Sequence, residues 1–186
     1  MKLDYLVMNA GIVQRESFES TSLDVFSEIM DINFYSCVTM THAVLPHMQA
    51  NGGGAIIATS SVFGLHGAPN RTAYAASKHA LNGFLNSLRP EIAQYNISTS
   101  LVCPGLIATN ISYTARLGDG SFFQKDTNSA GMHPRDCARQ FTQIIYNKEP
   151  RKVVGSLTEK VRVMASRLSS NLEAEVTRRL AILLKV

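Results

Sequence analysis

Residues Leu3-Asp4-Tyr5-Leu6-Val7-Met8-Asn9-Ala10-Gly11 form a short apolar run stopped by a turn signal. Such a run, closed by small and polar residues, describes a strand buried on both faces, the kind found in parallel sheets. Two segments of the same type follow: Ala55 to Thr59 ends in Ser60 and Ser61, and Ile97 to Val102 is closed by Cys103-Pro104-Gly105. Between them the period changes. From Ser22, an N-cap residue type, to Met48, the residues Phe26, Ile29, Met30, Phe34, Val38, Thr41 and Leu45 recur at helical spacing, with Asn33 in their midst. A second helix is predicted from Tyr74 to about Tyr95, although Pro90 removes a hydrogen bond within it. Pro134 to Tyr146 reads as a helix with proline in its first turn. Lys152 to Gly155 reads as a short strand, and Leu157 to about Leu184 as a last helix or helix pair. Alternating strands and helices predict an α/β fold with a parallel sheet. The expected division is a sheet-bearing body over residues 1–156 and a basic, amphipathic tail over residues 157–186.

The 186 residues fit one core, and with 45% hydrophobic and 17% charged residues the chain has the composition of a soluble globular protein. No apolar run is long enough to cross a bilayer, and Met1-Lys2-Leu3-Asp4 lacks the features of a signal peptide, so the expected compartment is cytoplasmic. The three cysteines, Cys37, Cys103 and Cys137, are odd in number and too scattered for a disulfide framework or a zinc knuckle. The histidines match no metal spacing either, so no metal site is expected. The net charge of +4 sits in the tail: residues 1–150 carry ten Lys/Arg against eleven Asp/Glu, and residues 151–186 carry eight against three. The body has no zinc-finger spacing, RNA-binding motif or Lys/Arg run, which argues against nucleic acid as a partner.

In parallel sheets of this kind the working residues lie beyond the C-terminal ends of strands, where Asn9, Ser61 and Pro104-Gly105 fall. Tyr74-Ala75-Ala76-Ser77-Lys78 places a phenol and an ammonium one helical turn apart on a shared face. A free phenol titrates near 10. A cation about 4 Å away attracts its anion by on the order of 4 kcal/mol at an effective dielectric of about 20, enough to bring proton transfer within reach of neutral pH. Each residue also has a plainer reading: Tyr and Lys fall four apart on many solvated helices, Asn33 can cap a helix break, Ser61 can satisfy a strand-end amide, and Pro104-Gly105 is an ordinary turn. Their joint order and spacing favour the chemical reading. No Gly-x-Ser-x-Gly elbow or Ser-x-x-Lys competes as a serine hydrolase.

Together these motifs resemble the short-chain dehydrogenases/reductases. Asn9-Ala10-Gly11 resembles the family's Asn-Ala-Gly turn, and Asn33 its helical active-site asparagine. Ser61 resembles the catalytic serine, thirteen residues before Tyr74, and Tyr74-x-x-x-Lys78 the signature. Pro104-Gly105-Leu106-Ile107-Ala108-Thr109 resembles the Pro-Gly-x-(Val/Ile)-x-Thr element. The resemblance implies a Rossmann-like parallel sheet with helices on both faces and an NAD(P)-dependent oxidoreductase acting on a carbonyl or secondary alcohol. It implies Asn33, Ser61, Tyr74 and Lys78 as catalytic residues: Tyr74 exchanges the proton, Ser61 holds the substrate oxygen, Lys78 lowers the phenol and holds the ribose, and Asn33 serves a proton relay. The cofactor, NAD or NADP, would be held by Asn9, Ala10, Gly11, Tyr74, Lys78, Pro104, Gly105, Ile107 and Thr109. A homo-oligomer is the implied assembly of a complete member.

One family element is absent from these residues: the glycine-rich Thr-Gly-x-x-x-Gly-x-Gly turn that receives the pyrophosphate at a helix N-terminus. The sequence starts at what resembles the fourth strand, so the expected sheet lacks its first three strands and leaves Leu3 to Met8 as an open apolar edge. A fragment or truncated isoform of a complete reductase is therefore expected, and the alternative function is an inactive chain or pseudoenzyme acting by association. Tyr113, Phe122, Phe123 and Met132 in the irregular segment 106–133 suggest an apolar substrate, and the resemblance extends to lipid-, steroid- or retinoid-type reductases, some membrane-anchored through an N-terminal region. In the tail, Val161, Met164, Leu168, Leu172, Val176 and Leu180 form a helical stripe among basic residues. That stripe is expected to pack on its own domain or a second subunit, with weak membrane-surface contact as the alternative.

Overall fold

A computed structural model describes residues 2–183. Four strands form one sheet in the order β1 (Tyr5–Met8), β2 (Gly54–Thr59), β3 (Ile97–Pro104), β4 (Arg151–Val154), all parallel. Side chains alternate between the faces of each strand, and the apolar residues divide accordingly. Leu6, Met8, Ile56, Ala58, Leu101 and Cys103 join one core, whereas Ile57, Val102 and Val154 join the other.

Helices cover both faces. On the first lie α2 (Ser36–Ala50) and α3 (Thr72–Ile92), which insert Met48, Leu81, Leu85 and Ile92. On the second lies α4 (Pro134–Tyr146), which inserts Ile144 with Phe141 and Ile145 beside it. The Rossmann-like arrangement implied by the sequence is thus observed in four strands. β1 is an edge strand, and Tyr5 and Val7 on its second face are 58% and 48% exposed.

The helix predicted from Ser22 to Met48 is interrupted. It runs as α1 (Leu23–Met30), a π turn over Asp31–Tyr35, then α2. Ser22 caps α1, its Oγ accepting from the Val25 N–H. In the π turn the Ser36 N–H reaches back five residues to the Asp31 carbonyl, a widening that recurs at functional sites because it redirects a side chain. Pro90 lies in the last turn of α3, where only the Asn86 carbonyl loses its intrahelical donor, so the helix continues to Ile92.

The tail is the helix pair that the sequence predicts. It forms α5 (Leu157–Leu168), started by a Ser156/Glu159 capping box, and α6 (Ser170–Leu183), packed against one another. The face of α5 turned inward carries Val163 and Ser166, while Val161, Met164 and Leu168 are exposed, as is Leu172 on α6. The described part of the apolar stripe, Val161, Met164, Leu168 and Leu172, therefore faces outward and leaves the second subunit or a membrane surface as its expected partner. The side chains of Val176 and Leu180, and Leu184 altogether, lie outside the described residues. Among the described residues no helix is long and apolar enough to cross a membrane, and no group of acidic, histidine or cysteine residues could hold a metal ion.

Candidate active site

The three turns singled out in the sequence meet at one edge of the sheet. Asn9 follows β1, Ser61 follows β2 and Gly105 follows β3. Asn9 ties the first two strand ends together, its Oδ1 accepting from the Thr59 hydroxyl at 2.8 Å. Asn9 and Ala10 are exposed, and Gly11 is half-buried.

Gly11 has a steric task. A Cβ there would stand 3.0 Å from Asn33 Oδ1 and 3.3 Å from Lys78 Nζ, so the absence of a side chain lets the amide and the amine approach. Asn33, fully buried on the π turn, accepts the Ile12 N–H through Oδ1 at 2.9 Å. Its Nδ2 donates to the Ile12 carbonyl at 2.9 Å and to Ser77 Oγ at 3.0 Å. Ser77 in turn donates to the Tyr74 carbonyl. The amide thus fastens the turn after β1 to the helix carrying Tyr74, which is more than a helix-break cap.

Lys78 is buried, and its Nζ donates to the Thr59 carbonyl at 2.9 Å. Among the described residues this is its one hydrogen-bond acceptor, which leaves two ammonium protons for other partners. Burial pulls the amine down to about 8, with Cys37 and Cys103 acting weakly the other way. The resemblance implies that Lys78 lowers the phenol, and in this fold the ammonium stands over the ring and not at the hydroxyl, with Nζ 5.8 Å from the Tyr74 ring centroid. Burial raises the phenol, and the opposing pulls come from the Ser61 hydroxyl and the Arg71 cation.

Ser61 Oγ accepts from the Phe63 N–H at 3.1 Å. A hydroxyl that accepts an amide keeps its own O–H free to donate, so the strand-end reading and the chemical one coexist. Tyr74 packs with Val13, Ala115, Phe63, Ile111 and Phe123, an apolar wall around the ring. Of the aromatic residues assigned to the 106–133 segment, only Phe123 joins it. Tyr113 and Phe122 are exposed, the latter 4.4 Å from the Arg116 guanidinium carbon, and Met132 packs against α4.

Beyond β3, the Gly105 N–H donates to the Val154 carbonyl and Pro104 closes the strand. Ile107 is half-buried with its carbonyl accepting from Asn128 Nδ2, and Thr109 is exposed, its N–H turned back to the Ile107 carbonyl. A Cβ on Gly105 would collide with the Glu159 carboxylate, which accepts the Leu106 N–H. The sequence marks Glu159 only through the Ser156-x-x-Glu159 spacing of a capping box, not as a neighbour of Gly105. Arg15 and Arg71, which flank the Tyr74 cluster, carried no sequence signal beyond their charge.

The family model described as "short chain dehydrogenase" matches residues 1–119 of this chain. The chain belongs to the short-chain dehydrogenase family. It is 41% identical over 162 residues to the "Dehydrogenase/reductase SDR family protein 7-like" of Drosophila melanogaster, an alignment covering 86% of this chain and 50% of that protein. Like this one, other short-chain dehydrogenases share the sheet: a family member from Burkholderia phymatum solved with NAD superposes with a TM-score of 0.80 at 18% identity, over 92% of this chain and 68% of that one. A gluconate 5-dehydrogenase from Burkholderia cenocepacia solved with NADP and tartrate superposes with a TM-score of 0.58 at 31% identity, over 60% and 44%. This short-chain dehydrogenase spans about half the length of the curated relatives it matches.

Proposed function

We propose that this chain carries the proton-transfer side of an NAD(P)-dependent reaction that interconverts a carbonyl and a secondary alcohol on an apolar substrate. The observation that carries the proposal is a buried Tyr74, its phenol pushed up by burial, between two unlike sets of residues: polar Ser61, Lys78 and Asn33, and the apolar wall of Val13, Ala115 and Phe123. A phenol kept protonated by burial is poised to donate. Tyr74 gives its proton to the carbonyl oxygen as that oxygen becomes an alkoxide, and Ser61, whose hydroxyl already bears on the phenol, steadies the developing charge. The phenolate formed is recharged through the Lys78 side, with Asn33 holding the relay position beside Gly11.

The residues fit a nicotinamide nucleotide. Gly11 leaves open the space a Cβ would fill, and Lys78 has donors to spare for ribose hydroxyls. Asn9, Ala10, Pro104, Gly105, Ile107 and Thr109 are assigned to the surrounding rim. When bound, that cofactor supplies or accepts the hydride.

Fluorescence titration with NADH and NADPH, followed by turnover of an apolar ketone, tests the proposal. Saturable binding of either nucleotide is expected, and Tyr74→Phe should lower kcat by about 10²–10⁴-fold with cofactor affinity unchanged. Absence of binding at millimolar nucleotide would instead favour the associating, inactive chain, for which the exposed Tyr5 and Val7 on β1 supply a surface.

A further inference from the structure

Arg15 and Arg71 converge on a cleft of about 210 Å³ that also includes Phe63, Pro69, Asn70 and Phe123. Both side chains are half-buried, and among the described residues neither is paired with a carboxylate. Arg15 Nε is buried without a hydrogen-bond partner, and the guanidinium carbon stands 5.0 Å from the Phe123 ring centroid. Arg71 donates through Nη1 to the Asn70 carbonyl at 2.6 Å. Arg116 shows the contrasting, satisfied arrangement, with Nε and Nη2 donating to the two oxygens of Glu28 at 2.9 and 2.6 Å.

Two like charges brought together out of bulk water repel one another and lose hydration. Burial, and then the charge of Arg15, pull the Arg71 guanidinium down to about 9, which still leaves it charged at neutral pH. Arg71 is also the N-cap residue of the 21-residue α3, so the positive end of that helix dipole lies at the same place. The cleft thus concentrates positive charge behind two aromatic rings, and Tyr74 lies one helical turn farther along α3.

We propose that this cleft is the subsite for an oxyanion, a carboxylate or a phosphate, carried on the apolar substrate, with Arg15 and Arg71 as its ligands. The proposal rests on the oxidoreductase reading only in identifying the ligand as the substrate. Guanidinium forks match the paired oxygens of both groups. Phe63 and Phe123, which line the cleft and belong to the Tyr74 cluster, provide a continuous apolar path from the anion to the phenol. An uncharged ketone would leave both arginines facing an apolar body.

The test is titration of the whole chain with octanoate, octyl phosphate and 1-octanol, followed by NMR of the arginine Nε–H signals. At least one anion should bind about tenfold or more tightly than the alcohol and shift the Arg15 signal, and the preferred anion identifies the oxyanion. Rising salt should weaken the anion selectively. Arg15→Gln and Arg71→Gln should each lower anion affinity about tenfold, and Arg116→Gln should leave it unchanged. Equal affinity for alcohol and anions, no arginine shift with either anion at millimolar concentration, or anion binding retained in the Arg15→Gln/Arg71→Gln double variant would overturn the proposal. The comparison of ligands on the wild-type chain decides even where the double variant fails to fold. These titrations contain no nucleotide and read the subsite apart from catalysis: anion preference with no nucleotide binding in the NADH and NADPH titration would sink the oxidoreductase reading alone, and nucleotide binding with turnover but no anion preference would sink the subsite alone.

Discussion

Lys78 and Arg71 are cations on the same helix, seven residues apart, and their surroundings are opposite. Lys78 ends at the Thr59 carbonyl, next to an asparagine whose amide is bonded on both sides. Arg71 ends in an open cleft beside a second arginine. The first region is a polar cluster whose buried amide is fully bonded while Lys78 keeps donors free, and the second is a concentration of charge for which the described residues offer no carboxylate. A buried polar network specifies position when every member is satisfied, whereas unrelieved charge marks a place where something else can bind.

The largest expected break in the comparison is Asn33→Ala. It strips the Ile12 N–H, the Ile12 carbonyl and the Ser77 hydroxyl of partners at a fully buried site, at a cost of about 3 kcal/mol or more. Urea denaturation should show it, and an unchanged midpoint would mean that the amide does not hold the turn to α3.

Lys78→Met should act in the opposite direction. The folded amine releases its proton near 8 against an ordinary value of 10.5, so between those values the unfolded chain binds the extra proton. The cost of Lys78 to stability is full below about pH 8 and is relieved as pH rises toward 10.5. The methionine variant should therefore be more stable at pH 7 by on the order of 2 kcal/mol, the lost Thr59 contact offsetting part of the gain, and the advantage should vanish by pH 10.5. A variant equally destabilised across this range would refute the sign. Cofactor affinity should fall despite the gain in stability.

The smallest effects sharpen the contrast between arginines. Arg116→Gln breaks a bidentate pair whose side chains are 18% and 35% exposed, and thermal unfolding should register a loss of about 1 kcal/mol. Arg71→Gln removes a cation that burial and Arg15 disfavour while keeping the backbone that starts α3, so it should raise stability at pH 7, by on the order of 1 kcal/mol once the lost Asn70 contact is set against the gain. If Arg71→Gln proved the more damaging of the two, the cleft would be a structural feature and not a prepared one.

The sheet was legible because a buried parallel strand leaves a local mark. Leu3 to Met8, Ala55 to Thr59 and Ile97 to Val102 are apolar runs closed by turn residues, and the structure places a strand on each. Lys152 to Gly155 shifted by one residue to Arg151–Val154. The helix pair of the tail was legible as well, but not what covers its apolar row, because an amphipathic row says that one face is apolar, not that the chain will cover it. The capping box and the packing of α5 on α6 turned Val163 inward and left Val161, Met164 and Leu168 outside. Phe123 and Phe122 are neighbours in sequence with opposite fates, which no periodicity in an irregular loop announces.

By itself the sequence determined the parallel α/β class, the meeting of Asn9, Ser61, Tyr74, Lys78 and Gly105 at one sheet edge, and the family to which that pattern belongs. These follow from residue type and order, which local physics constrains. Only the tertiary structure decided that Asn33 sits on a π turn and bonds Ile12, that Lys78 reaches the Thr59 carbonyl instead of the phenol, and that Arg15 meets Arg71 across a cleft. Those facts depend on distances between residues far apart in the chain, and such distances are fixed by packing.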